Sequence, residues 1–140
     1  MGFGDPSGNY WLGNDLLSQL TANYRYKLRF DLQSIEHGYW YVAKYSRFRV
    51  LPESYNYTLQ VTGYSGNASR DGFGQSGEKF STFDRDNDRW SSGNCAAFIG
   101  GGFWYHGCGG CNVNGARSIG RFCWHGVGEM QYSRMWLQCK

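Results

Sequence analysis

The second half of the chain constrains the fold most, because glycine, serine, asparagine and aspartate dominate it from Gly63 to residue 128. All of the cysteines lie after residue 94, and they are Cys95, Cys108, Cys111, Cys123 and Cys139. Structureless segments of this length inside a compact domain are usually functional, or are held by a metal or by disulfides. We therefore expect residues 63–140 to form a loop-rich region stapled by cross-links.

The first half, residues 1–62, has the pattern of an ordinary scaffold. Asn14 or Asp15 can cap a short helix that ends near Asn23. Its leucines are spaced to share one helical face, and they are Leu16, Leu17 and Leu20. Together with the second half, this pattern predicts a single domain of 140 residues.

Strands are expected from the alternation of side chains that follows. Apolar Leu28, Phe30 and Leu32 alternate with charged residues over 24–32, which is typical of a half-buried strand. Further strands are expected at residues 39–45, 48–51 and 57–62. The pattern predicts an α+β fold, in which a small antiparallel sheet and short helices support the loop-rich region.

Composition excludes several classes of protein. Aromatic residues make up 19% of the chain and charged residues only 18%, which rules out a disordered chain. No apolar run approaches the roughly 20 residues of a membrane span. The net charge of +3 comes from scattered basic residues rather than a basic face, so we expect no nucleic-acid partner.

The cysteines favour disulfides over zinc. Cys108 and Cys111 form a CxxC pair, but no second paired motif completes the four ligands that structural zinc requires. Disulfides form in oxidising compartments, so the sequence predicts a secreted, extracellular protein with one thiol left over.

A run of aspartates is the first candidate site. Asp84, Asp86 and Asp88 alternate in a loop and could converge on one hard cation such as calcium, with backbone carbonyls completing the shell. The central glycine and terminal glutamate of an EF-hand are missing. The alternative is that these residues are solvated turn residues without a metal.

An aromatic and glycine-rich loop at residues 101–108 is the second candidate. Phe103, Trp104 and Tyr105 could offer ring faces to a small, partly apolar ligand such as a sugar. The alternative is that Trp104 and Tyr105 fill the core beneath a disulfide, and composition alone favours it.

Catalysis has little support in the sequence. His106 lies two residues from Cys108, but a nucleophilic thiol must be free, and a disulfide at Cys108 would prevent this role. The loop aspartates would more naturally share a cation than divide acid and base roles. We therefore expect no enzymatic activity.

Several segments resemble fibrinogen-related domains, the C-terminal modules of fibrinogen, ficolins, tachylectins, tenascins and angiopoietins. Residues 80–88 and 94–97 resemble the calcium loop of this family. The likeness continues in order through residues 11–15, 63–68, 103–105, 108 and 112–115, so it covers nearly the whole chain. The resemblance also implies that the opening segment of the family is missing upstream of Gly2.

The resemblance implies a disulfide between Cys95 and Cys108. It also implies a calcium site made by the carboxylates of Asp86 and Asp88 with backbone oxygens near Trp90 and Ser92. The remaining cysteines are additional to the family pattern, and a second bridge could join Cys111 to Cys139 or Cys123 to Cys139.

In the lectin members, a pocket beside the calcium loop recognises the acetyl group of N-acetylated sugars. It uses the second cysteine and its successor, usually histidine, joined by a cis peptide. Here the matching pair is Cys108 and Gly109, so the histidine is absent. The aromatic candidates for the pocket wall and rim are Phe103, Trp104, Tyr105 and Trp124.

These correspondences predict a secreted, calcium-stabilised lectin that binds acetylated or sialylated glycans in innate-immune or self/non-self recognition. The alternative is a protein-binding module for a receptor or peptide, as in angiopoietins and fibrinogen, and Gly109 strengthens that alternative. A homo-oligomer would have to form through the domain surface or an unpaired cysteine.

Overall fold

The computed structural model describes residues 1–69, 72–73, 76–109 and 112–140. Its regular elements are β1 (Phe3–Gly4), β2 (Tyr10–Trp11), α1 (Asn14–Thr21), β3 (Tyr26–Ser34), β4 (Trp40–Val50), β5 (Leu59–Gly66), α2 (Cys95–Ile99), β6 (Cys123–Trp124) and β7 (Gly128–Cys139). Short 3₁₀ turns lie at Glu53–Tyr55 and Arg117–Ile119. In this part of the chain, no helix is long and apolar enough to cross a membrane.

A five-stranded antiparallel sheet in the order β5-β4-β3-β7-β6 organises the molecule. Strand β3 lies at its centre, where Leu28 is opposite Tyr45 of β4 on one side and Leu137 of β7 on the other. The last strand of the chain therefore pairs beside the first strand of the sheet. The predicted α+β fold, with a small antiparallel sheet and short helices, is confirmed.

The alternation in β3 separates the two faces of the sheet as predicted. Leu28, Phe30 and Leu32 have no exposed surface and point into the core. Arg29 and Asp31 between them point to the opposite side. Strand β4 is continuous over Trp40–Val50, although the sequence indicated two shorter strands there.

The core is largely aromatic. The Phe73 ring lies at its centre, with ring centroids 4.9 Å from Phe30, 5.3 Å from Tyr45, 5.8 Å from Phe103 and 6.0 Å from Trp104. Tilted and edge-to-face pairs at these distances add to the stability gained from burial alone. The core therefore joins the sheet to the loop-rich region.

Helix α1 begins differently from the prediction. Gly13 is the N-cap, with φ of 96°, and no side chain caps the helix, so neither Asn14 nor Asp15 has that role. A positive φ is accessible to glycine without the steric cost that a Cβ would bring.

The predicted leucine face of α1 is also only partly correct. Leu17 is buried, whereas Leu16 and Leu20 are 41% and 37% exposed. The helix is instead anchored by Thr21, which is fully buried. Its hydroxyl donates to the Leu17 carbonyl at 2.7 Å and accepts from the Val50 amide at 3.0 Å.

The cysteines confirm one expected bridge and exclude two others. Cys95 and Cys108 form a disulfide, with their Cα atoms 4.9 Å apart. Cys139 is free and exposed, so the alternative bridges that involve it are both wrong. Cys123 is disulfide-bonded, and Cys111 lies outside the described residues.

Candidate functional site

The aspartate loop between Thr82 and Asn94 is held by its own carboxylates. Asp88 accepts from the Trp90 amide at 2.8 Å through one oxygen and from the Cys95 amide at 2.7 Å through the other. Asp86 accepts from the Asp88 amide at 3.1 Å. Because the carboxylates satisfy backbone amides that no strand or helix pairs, the loop has a fixed conformation without regular secondary structure.

Asn94 links this loop to α2. Its side-chain oxygen accepts from the Ala97 amide at 2.9 Å and so caps the helix. Its side-chain nitrogen donates to the carbonyls of Thr82 and Phe83 at 3.2 and 3.3 Å. The next residue, Cys95, carries the disulfide to Cys108. One side chain thus joins the start of the loop to its end.

A buried carboxylate connects the aspartate loop to the segment before Cys108. Glu78 is 5% exposed, and its Oε1 lies 3.1 Å from an Arg89 guanidinium nitrogen and 2.8 Å from His106 Nδ1. The Arg89 amide also donates to the His106 carbonyl at 2.9 Å. A buried carboxylate requires such partners, because burying an unpaired charge is strongly unfavourable.

The predicted calcium ligands have a suitable donor chemistry but form a sparse site. Asp86 and Asp88 offer carboxylate oxygens, the ligands that calcium prefers. In the described ranges, no lysine or arginine nitrogen lies within 4.0 Å of either carboxylate.

Asp84 is turned toward the Thr82 hydroxyl, which donates to it at 2.7 Å. The described residues contain no group of three or more acidic, histidine or cysteine side chains that could hold a metal. Asp86 and Asp88 therefore fit a calcium ion only if backbone oxygens, such as those near Trp90 and Ser92, complete its six to eight ligands.

The structure buries the aromatic residues predicted to contact a ligand. Phe103, Trp104, Tyr105 and Trp124 are each 3% exposed or less. The Trp104 indole donates to the Tyr57 carbonyl at 2.8 Å, which satisfies its polar atom inside the core. These side chains fill the core, which agrees with the alternative interpretation of Trp104 and Tyr105. They are not exposed to form the wall of a ligand pocket.

The Tyr105 hydroxyl is satisfied by internal partners. It donates to the Gly101 carbonyl at 2.5 Å and accepts from the Asn112 side-chain amide at 2.7 Å. Burial raises the pKa of the Tyr105 phenol, because the charged form would lose its hydration. This hydroxyl is therefore a structural group that stays neutral, and it fixes the segment beneath the disulfide.

The Cys108–Gly109 pair differs from the lectin pattern in its backbone. The peptide bond between them is trans, and both residues lie in the left-handed region, with φ of 57° and 77°. The Gly109 amide donates to the Gly107 carbonyl at 2.8 Å in a tight turn. These residues lie at the surface beside the aspartate loop, but they do not adopt the cis geometry that the resemblance implied.

Exposed aromatic side chains beside the aspartates were not identified from the sequence. Phe83 is 79% exposed, Trp90 39% and Phe98 46%, and the last two rings pack at a centroid distance of 5.9 Å. We call Phe83, Trp90 and Phe98, together with Asp84, the acidic–aromatic rim. Its sequence signal is an aromatic residue at each end of the aspartate run, and that signal alone does not distinguish exposed rings from buried ones.

Comparisons with known proteins identify the family to which this chain belongs. The family of fibrinogen beta and gamma chains, C-terminal globular domain, matches residues 1–140, and the chain belongs to this family. The resemblance stated from the sequence is therefore confirmed.

Two curated relatives show what the chain is similar to. It is 38% identical to bovine angiopoietin-4 over 94% of its own length, and 43% identical to mouse microfibril-associated glycoprotein 4 over 82%. It spans 28% of the first protein and 46% of the second, so it corresponds to less than half of each.

Solved structures agree with this assignment. The fibrinogen-like globe domain of human ANGPTL6 matches with a TM-score of 0.87 and 34% identity, over 99% of this chain and 68% of that one. A lamprey fibrin D-dimer complexed with the peptide ligand Gly-His-Arg-Pro-amide matches with a TM-score of 0.81 and 28% identity, over 97% and 53%.

Proposed function

We propose that this chain is an extracellular protein-binding domain that recognises a basic, partly apolar segment of a receptor or peptide through the acidic–aromatic rim. Two similarities support it. Angiopoietins are among its relatives, and the lamprey fibrin relative was solved with a peptide that contains histidine and arginine. A surface that binds such a segment needs carboxylates and exposed rings close together.

The observation that carries this proposal is the exposure of Phe83, Trp90 and Phe98 near aspartates that have no lysine or arginine nitrogen within 4.0 Å among the residues that the structure describes. Exposed aromatic side chains are enriched at protein interfaces, where they supply much of the binding energy. The hydrogen bonds of Asp88 and Asn94 hold the loop in place before any partner arrives. Binding therefore loses little conformational entropy at this surface.

Calcium has a supporting role in this proposal. Asp86 and Asp88 would hold the ion, which would neutralise charge and rigidify the loop without any catalytic role. Asp84 would remain available to a basic partner, because Thr82 engages only one of its two carboxylate oxygens among the described contacts. Glycan recognition has weaker support, because the aromatic side chains assigned to the sugar pocket are buried.

An extracellular location accords with the Cys95–Cys108 disulfide, since such bonds persist in oxidising compartments.

Isothermal titration of the whole chain with Gly-His-Arg-Pro-amide tests the proposal, with Gly-His-Gln-Pro-amide as the matched peptide that lacks the guanidinium. We expect binding of the arginine peptide only. Phe83→Ala should weaken it at least about fivefold, the loss of roughly 1 kcal/mol typical of an interface aromatic. Asp84→Asn should weaken it as well, and more at low salt than at high salt.

Tyr39→Ala is the control variant, because it removes an aromatic side chain that is 64% exposed in the turn between β3 and β4. Each titration is run with calcium, with a chelator and with N-acetylglucosamine as competitor. Equal affinity of wild type and Phe83→Ala would overturn the assignment of the rim. Binding of N-acetylglucosamine without binding of either peptide would favour the lectin instead.

A further inference from the structure

The face of the five-stranded sheet that points away from the core carries aromatic and charged side chains. Strand β3 contributes Arg29 and Asp31, β4 contributes Trp40, and β7 contributes Tyr132, Arg134 and Trp136. Trp40 is 53% and Trp136 is 40% exposed. We call these six residues, together with Lys44 of β4, the outer sheet face. Monomeric proteins rarely expose contiguous apolar surface without a function for it.

This face carries two open depressions. A hollow of about 550 Å³ lies over Arg29, Trp40, Tyr132 and Arg134. A second hollow of about 530 Å³ shares Arg29 with the first and extends over Lys44 toward residues 65–67 of β5. The two depressions adjoin at Arg29 and Val42 and lie across β7, β3, β4 and β5, a width of roughly 14 Å at the usual strand spacing. We call the two depressions together the trough. A trough of this length accommodates an extended segment of about four residues.

The aromatic side chains of the trough are already fixed. The Arg134 guanidinium lies 5.3 Å from the Tyr132 ring and 4.6 Å from the Trp136 ring. The Trp136 indole donates to Asp31 at 2.6 Å, and Trp40 packs edge-on against Tyr132 at 5.4 Å. These contacts hold the side chains in one arrangement, so a partner would not have to order them on binding.

The charge of the trough is positive. Asp31 is its one carboxylate, and it is used internally by Arg29 at 2.8 Å and by Trp136. Neither Arg134 nor Lys44 has a carboxylate within 4.0 Å among the residues that the structure describes. A guanidinium between two rings, without an acidic partner, is well placed to bind a carboxylate through paired hydrogen bonds.

We propose that the outer sheet face docks an acidic segment of a protein partner, one that carries an aromatic or aliphatic side chain between its carboxylates. Arg134 and Lys44 bind the carboxylates, and Trp40 and Tyr132 contact the apolar side chain. Two unpaired cations are too few for a sulfated polysaccharide, which offers dense charge and little apolar surface. This site is distinct from the acidic–aromatic rim, and it selects an acidic partner where the rim selects a basic one.

The test uses the whole chain labelled with ¹⁵N and the peptide acetyl-Glu-Glu-Tyr-Leu-Asp-Glu-amide, with the Gln/Asn version of the same peptide as its neutral control. We expect the acidic peptide to shift the indole signals of Trp40 and Trp136 in a saturable way, and the neutral peptide to bind at least about tenfold more weakly. Arg134→Gln should weaken binding about tenfold. Arg134→Lys keeps the charge but loses the planar guanidinium that donates paired hydrogen bonds, and it should weaken binding by a smaller factor.

Arg85→Gln is the matched control, because Arg85 is an exposed arginine of the aspartate loop that pairs with Glu53. It should leave the affinity for the acidic peptide unchanged. Trp40→Ala is a second test variant, chosen because its ring is largely exposed and its loss should not affect folding. It should weaken binding as Arg134→Gln does.

Three results would overturn the proposal. The first is an affinity for the acidic peptide that Arg134→Gln and Trp40→Ala do not change. The second is binding of a heparin oligosaccharide that depends on Arg134, without any binding of the peptide. The third is self-association of the chain, measured by sedimentation, that Arg134→Gln abolishes, because a second copy would then be the occupant.

Discussion

Removing the Cys95–Cys108 disulfide should destabilise the domain by an amount that can be worked from its loop. The two cysteines are 13 residues apart, and closing a loop of that size is worth about 3 kcal/mol in the chain-entropy model. Cys95 is also fully buried, so Cys95→Ala adds a small void that costs about 1 kcal/mol. We therefore expect the Cys95→Ala/Cys108→Ala double variant to lose about 4 kcal/mol of unfolding free energy.

Equilibrium urea unfolding followed by tryptophan fluorescence measures this loss. If the unfolding free energy decreases by about 2 kcal/mol per molar urea, the urea concentration at the unfolding midpoint should fall by about 2 M. A reducing agent cannot replace the double variant, because Cys123 is disulfide-bonded as well and would also be reduced. Cys139→Ser serves as the control, because Cys139 is free and exposed, and it should change the free energy by less than about 0.5 kcal/mol.

A loss below about 1 kcal/mol in the double variant would refute the loop-entropy reasoning for this bridge. It would mean that the hydrogen bonds of the aspartate loop, rather than the covalent link, keep residues 95–108 in place.

Two further predictions concern stability. Thr21→Val keeps the shape of a buried side chain but leaves the Val50 amide without its acceptor, so urea or thermal unfolding should show a loss of about 1–3 kcal/mol in unfolding free energy. Thr21→Ser keeps the hydroxyl and should preserve the protection of the Val50 amide against hydrogen exchange. The Tyr57 pKa is raised to about 12, mainly by desolvation and then by the hydrogen bond to Asp15. Because the folded pKa lies above the unfolded value near 10, this contribution to stability is complete below pH 10 and is lost as the pH rises through 12. The unfolding free energy of the wild type should therefore fall more steeply over that range than that of Tyr57→Phe, and parallel curves would contradict the assignment.

Local patterns in the sequence predicted the scaffold well, because they report on one strand or helix at a time. The alternation around Leu28 and Phe30 identified both β3 and its buried face. The leucines of α1 were less informative, because the helix packs through a narrow contact with β4, which buries Leu17 and Thr21 and leaves Leu16 and Leu20 exposed.

The candidate site was predicted less completely, for a physical reason. Phe83 and Phe103 are the same residue type and both lie outside the regular helices and strands, yet one is 79% exposed and the other 3%. Phe103 is buried because it packs against Phe73, 30 residues earlier in the chain, at a ring-centroid distance of 5.8 Å. The outer sheet face was missed for the same reason, because Arg29, Trp40 and Arg134 become neighbours only when β7 pairs with β3.

The hydrogen bonds of Asp88 and Asn94 also determine how the aspartate loop responds to thermal fluctuation. The amides of Trp90 and Cys95 are bound by the two oxygens of Asp88, and the Ala97 amide is bound by the cap residue Asn94, so these side chains hold both the loop and the first turn of α2. This loop should therefore open only in the larger cooperative unfolding events of the domain, with slow amide exchange despite its lack of strands. A partner of the proposed rim would therefore meet one fixed shape over the lifetime of the folded state, and selectivity would arise from rejecting partners that do not match it.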